Sequence, residues 1–99
     1  MNEHLKDTYI SELYQGILKL KTPEECAAFF EDLCTISELK SMSQRLAVAQ
    51  MLDEKCIYTD IASKTSASTA TISRVNRCLL YGSGGYKLVL ARLKEAQDA

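Results

Sequence analysis

At 99 residues with an apolar share of 46%, the chain has the length and composition of one globular domain, and one Pro with four Gly favours helices. A formal net charge of −1, taken alone, argues against a nucleic-acid partner. No apolar run approaches the roughly 20 residues of a membrane span and no signal-peptide core opens the chain, so a cytoplasmic protein without a membrane partner is expected.

The apolar residues Leu5, Tyr9, Ile10, Leu13, Ile17, Leu18 and Leu20 follow a helical period and predict a first amphipathic helix from about Glu3 to Leu20. Thr22-Pro23-Glu24-Glu25 then combines a capping Thr, a Pro at the first helical position and a Glu three residues after the cap. A second helix is expected to run to about Cys34, with Phe29, Phe30 and Leu33 on an apolar face. Thr35 and Glu38 repeat the capping-box spacing and open a third helix, which ends near Asp53-Glu54-Lys55. All three helices have faces to bury. A small helical chain buries only a modest fraction of its surface, so intertwining with a second copy would add stability.

Residues 58–81 read as two short helices meeting at a corner. Ile61 and Ala62 face a core from the first, and Ile72, Val75, Cys78 and Leu79 follow at helical spacing on the second. Ser68 suits an N-cap, since its hydroxyl can accept from free backbone N–H groups of the next turn. Gly82-Ser83-Gly84-Gly85 is a stop, and a last helix over about 86–97 carries Leu88, Val89, Ala91 and Leu93 before a polar tail. Six helices are expected in a single domain, 1–99.

Charge is unevenly spread along this plan. Residues 1–38 hold eight acids against three bases, a balance of −5, whereas residues 39–99 hold nine bases against five acids, a balance of +4. No acid occurs between Ile61 and Arg92. The two-helix segment therefore has a local positive field that the sum conceals.

Chemistry other than binding finds little support. Cys26, Cys34, Cys56 and Cys78 contain no CxxC pair and read as reduced packing residues, and the single His4 lies near a terminus, so neither metal nor cofactor is expected. The glycine cluster lacks the Lys-Ser/Thr of a phosphate loop. No nucleophile stands beside a base in any motif, which argues against an enzyme.

The segment Ala70-Thr71-Ile72-Ser73-Arg74, together with Thr35 and Ser43-Gln44-Arg45-Leu46, resembles the trp repressor superfamily. Lys21 to Cys26 and Phe29 to Cys34 are most similar to its YerC/YecD group of small bacterial proteins. The resemblance spans about Leu13 to Tyr86. It implies an all-α, six-helix trp-repressor-like fold with a helix-turn-helix, an intertwined homodimer with residues 1–54 as its dimerisation core, and binding to double-stranded DNA. A transcriptional regulator, most simply a repressor on a near-palindromic operator, is the expected function. Ser68, Thr69, Ala70, Thr71 and Ser73 have side chains short enough for close approach to base edges, and Thr59, Lys64 and Arg77 suit phosphate. The resemblance also implies a pocket near Thr35, Arg45, Arg74, Val75 and Cys78, the two arginines flanking an amino-acid corepressor in the family. Val75 stands where tryptophan-binding members have Gly, and Cys78 replaces a Ser, so tryptophan is not expected as the effector. Two alternatives remain open: a DNA-binding module with a replication or other chromosomal role, and a dimeric protein-interaction module without DNA binding. Ser66 and Ser68 also depart from the Gly common in the family's turn, and a left-handed Ser costs roughly 1 kcal/mol.

Overall fold

The structure, a computed structural model, describes residues 7–98. Six α-helices and no strand occur among the described residues: α1 Thr8–Ile17, α2 Pro23–Leu33, α3 Ile36–Asp53, α4 Tyr58–Thr65, α5 Thr69–Tyr81 and α6 Gly85–Asp98. The chain divides into two compact units, Met1–Leu39 and Lys40–Ala99.

In the first unit, capping chemistry sets the boundaries. Asp7 caps α1 by accepting the Ile10 amide at 2.8 Å, so within the described residues this helix begins at Thr8. The expected earlier turn, with Leu5, lies outside the described residues. The helix also ends before Leu20: the Lys19 and Leu20 amides bond to the Gly16 and Ile17 carbonyls, an i→i−3 pattern that closes the helix in a tighter turn. Thr22 accepts from the Glu25 amide at 3.0 Å, with Pro23 at the first helical position. Phe29 and Phe30 meet edge to face with centroids 5.4 Å apart. No described residue through Leu39 is fully buried: Ile10, Leu13, Ile17, Phe29 and Phe30, on the apolar faces of α1 and α2, are only half-buried, short of the full burial their periodicity leads one to expect.

The capping box of α3 is complete. The Thr35 amide donates to the Glu38 carboxylate at 2.8 Å, and the Glu38 amide donates to the Thr35 hydroxyl at 3.0 Å. The backbone bond and then the Thr35 side chain hold the Glu38 carboxyl below its ordinary pKa. A carboxyl with a lower pKa folded than unfolded contributes stability above its unfolded value, and that contribution is lost as pH falls through the folded value. The Thr35 amide resonance should therefore titrate below the usual Glu range, and Glu38→Gln should abolish that titration.

The second unit holds all eight buried apolar residues found among the described residues: Val48, Ala49, Ile61, Ala67, Ile72, Val75, Leu79 and Leu90. They lie on α3, α4, α5, α6 and the turn between α4 and α5, so one small core fixes the placement of that turn. The end of α3 is satisfied by two crossing bonds, Lys55 N–H to Leu52 O and Cys56 N–H to Met51 O, with Lys55 left-handed at φ 67°. This is the Schellman pattern. The last helix runs through Asp98, further than the apolar period that fades at Leu93, because Lys94, Glu95, Ala96 and Gln97 are good helix formers in their own right. The packing role expected of the cysteines holds only in part. Cys34 and Cys56 are half-buried, but Cys26 and Cys78 are exposed.

Candidate nucleic-acid interface

Two helices and a three-residue turn make the site. The turn Ser66-Ala67-Ser68 begins with Ser66 at φ 61°, ψ 14°, the left-handed region in which a Cβ is strained. Ala67, only 5% exposed, anchors the turn in the core, and Ser68 returns to an extended backbone as the N-cap of α5. Ser66→Gly should relieve the strain while adding freedom to the unfolded chain, for a net gain of about 0.5 kcal/mol and a rise in Tm of about 3 °C. Thermal unfolding of the variant measures it, and a lowered Tm would contradict the assigned strain.

On α5 the faces separate cleanly. Ile72, Val75 and Leu79 point into the core, whereas Thr69, Ala70, Ser73, Arg74 and Arg77 are exposed. Ala70, Ser73 and Arg77 share one outward stripe at i, i+3 and i+7. Thr59 and Lys64 are exposed on α4, with Lys64 in its last turn. Thr71 is placed differently from its neighbours. It is half-buried, its amide donates to the Ser68 hydroxyl at 3.1 Å, and the two hydroxyls lie 3.0 Å apart, so its polar groups serve the cap.

Behind the outward stripe, a cleft of about 310 Å³ opens between α3 and α5. Ser41, Gln44 and Arg45 line it from α3, while Thr71, Arg74, Val75 and Cys78 line it from α5, and Tyr86 closes one side. Arg45, Arg74, Val75 and Cys78 are thus brought together. Thr35 belongs to the other unit, where its side chain caps α3. Among the described residues, two guanidiniums and no carboxylate line the cleft, a setting for an anion. Ser41, Gln44 and Tyr86 were not expected in the pocket from the sequence, although Gln44 stands in the Ser43-Gln44-Arg45-Leu46 stretch that carries the resemblance. The first two had a legible signal, since Ser41, Gln44 and Arg45 make a polar stripe at i, i+3 and i+4 that meets the core at Val48.

This arrangement of two helices, an exposed first turn and a cleft behind it has counterparts. The sequence profile described as Trp repressor protein matches residues 8–94. The chain belongs to the Trp repressor family. It is 50% identical over 95 residues to the uncharacterized protein YerC of Bacillus subtilis (strain 168), covering 96% of this chain and 91% of that protein. A crystal structure of a TrpR-like protein from Eubacterium eligens ATCC 27750 superposes with a TM-score of 0.91 at 56% identity, covering 94% of this chain and 96% of that one. Membership in the Trp repressor family makes the α4–α5 pair a helix-turn-helix and the chain a DNA-binding regulator in kind. Among the described residues, no helix is long and apolar enough to cross a membrane, and no group of three or more His, Cys, Asp or Glu is placed to hold a metal ion.

Proposed function

We propose that this Trp repressor family member is a homodimeric, sequence-specific transcriptional repressor that occupies a near-palindromic operator. The observation that carries the reading is the exposed start of α5, where Thr69 and Ala70 in the first turn and Ser73 at the start of the second project from a span without an acid from Ile61 to Arg92. Small side chains allow a helix to approach base edges in the major groove, and the surrounding bases favour an anionic partner. Lys64, Arg77 and Thr59 contact phosphate, giving affinity and register. Ser68 and Thr71 hold the cap that presents this turn. Residues 1–54 form the dimer core. Support for a second copy comes from the first unit, where Leu18 and Ile36 stand 74% and 77% exposed and no described residue is buried.

Two-fold symmetry sets the reading heads roughly 34 Å apart, one turn of DNA. Selection from a pool of random duplexes tests the proposal. Enrichment of an inverted repeat with half-sites about one helical turn apart is expected, and a pool that yields no enriched duplex overturns it.

Tryptophan is not the effector. Val75, 2% exposed, forms part of the cleft wall with a branched side chain, and Cys78 presents a thiol beside it. The paired guanidiniums suit a small anion instead. Calorimetric titration with tryptophan should give no saturable heat, and a saturable isotherm would refute this assignment.

A further inference from the structure

The turn of the helix-turn-helix is wired by side chains. Thr65 is the hub: its hydroxyl donates to the Ile61 carbonyl at 2.7 Å and accepts from the Ala67 amide at 3.2 Å. Its carbonyl belongs to the last turn of α4, where carbonyls lack intrahelical donors, and it accepts from the Gln44 side-chain amide at 3.1 Å. Gln44 comes from α3, 21 residues away. Among the described residues, every other side-chain hydrogen bond spans four residues or fewer. This one bond therefore ties the turn to a distant element, next to Ser66, the residue held at positive φ.

We infer that Gln44 is a positioning residue for the DNA-reading helix: its amide holds the end of α4 against α3 and so sets the attitude of the turn from which α5 departs. The inference rests on the DNA-binding reading for its consequence, and on the Gln44–Thr65 geometry for its cause. Apolar packing alone leaves a turn some freedom to slide, whereas a hydrogen bond to a part-buried carbonyl has one geometry. Losing the donor leaves that carbonyl unsatisfied. The strained Ser66 conformation is then the first to relax, because the bonds around it are otherwise local.

Gln44→Met tests this, since it keeps length and packing but removes the donor. Amide hydrogen exchange should speed up at Ser66 and Ala67 by about fivefold, with Val48 and Ile72 changing by less than about twofold. Affinity for the selected duplex should fall about fivefold with an unchanged salt slope, because no phosphate contact is removed. Adding Ser66→Gly should restore at least half of the lost affinity, a larger gain than the same substitution gives in the wild-type background, a coupling that a general loss of stability does not produce. Equal exchange changes at the turn and in the core, or a Ser66→Gly increment that is the same in both backgrounds, overturns the inference. If the wild-type protein enriches no duplex, the DNA-binding reading fails, and the exchange pattern alone then decides the role of Gln44.

Discussion

Raising salt from about 50 mM to about 200 mM is expected to weaken operator binding about a hundredfold. Lys64 and Arg77 are exposed and lie in the span without acids, and in the proposed two-fold dimer they would supply about four phosphate contacts. Each neutralised phosphate releases condensed counterions, so log affinity falls with log salt at a slope of about −0.9 per contact, here about −3.6. Lys64→Ala removes one contact per protomer, so it should flatten the slope by about 2 and weaken all duplexes alike. Ser73→Ala should do the opposite, changing which duplex is preferred while leaving the slope alone. Fluorescence anisotropy at several salt concentrations measures both. An affinity that moves less than about threefold over the range would remove Lys64 and Arg77 from the phosphate interface.

The second large effect concerns the corner between α5 and α6. The Gly82 amide donates to the Cys78 carbonyl at 2.8 Å, and its backbone sits at φ −82°, ψ −154°. A Cβ built on Gly82 collides with that same Cys78 carbonyl, and backbone cannot swing aside as a long side chain can. The last turn of α5 must then open, which loosens Leu79 and Leu90, both part of the core on either side of the corner. Gly82→Ala should cost about 2–3 kcal/mol and lower Tm by about 10–20 °C. Gly85→Ala is the control, since nothing lies within 4 Å of a Cβ added there. Thermal unfolding of the two variants separates a steric demand from a general intolerance of alanine, and a Gly82→Ala Tm close to wild type would refute the collision.

The starts of α2, α3 and α5 were readable from residues because their causes are local, whereas the Asp7 cap that starts α1 at Thr8 was not read. Thr22 with Glu25, Thr35 with Glu38 and Ser68 with Thr71 each act over three residues, and a hydroxyl that meets an amide one turn later leaves a spacing in the chain. The core face of α5 was readable for a similar reason, since Ile72, Val75 and Leu79 repeat with the helix. Cys78 broke that reading. Its position fits the period at the margin of the apolar face, and only the width of the facing surface determines whether a marginal position is covered or lines a cleft.

The candidate site shows the same division. That α5 carries small polar side chains in its first turn and bases further on was visible in the order of residues, as was the absence of acids around it. Thr71 looked equivalent to Thr69 and Ser73 until its hydroxyl was found beside Ser68 and its flank on the cleft. A helix of 3.6 residues per turn sends neighbouring positions to different surroundings, and the surroundings are supplied by other elements.

For the turn between Tyr58 and Tyr81, then, the sequence by itself determined that two helices meet at a polar corner, that Ser68 caps the second, and that the charge around them is positive. These follow from bonds over at most four residues and from a count of charges. Only the tertiary structure decided that Ser66 takes the left-handed conformation, that Gln44 reaches the Thr65 carbonyl across 21 residues, and that Arg45 and Arg74 face one cleft. A hydrogen bond or a shared cavity between distant segments obeys no period along the chain, so it becomes visible only when packing of the core has brought α3 against α4 and α5.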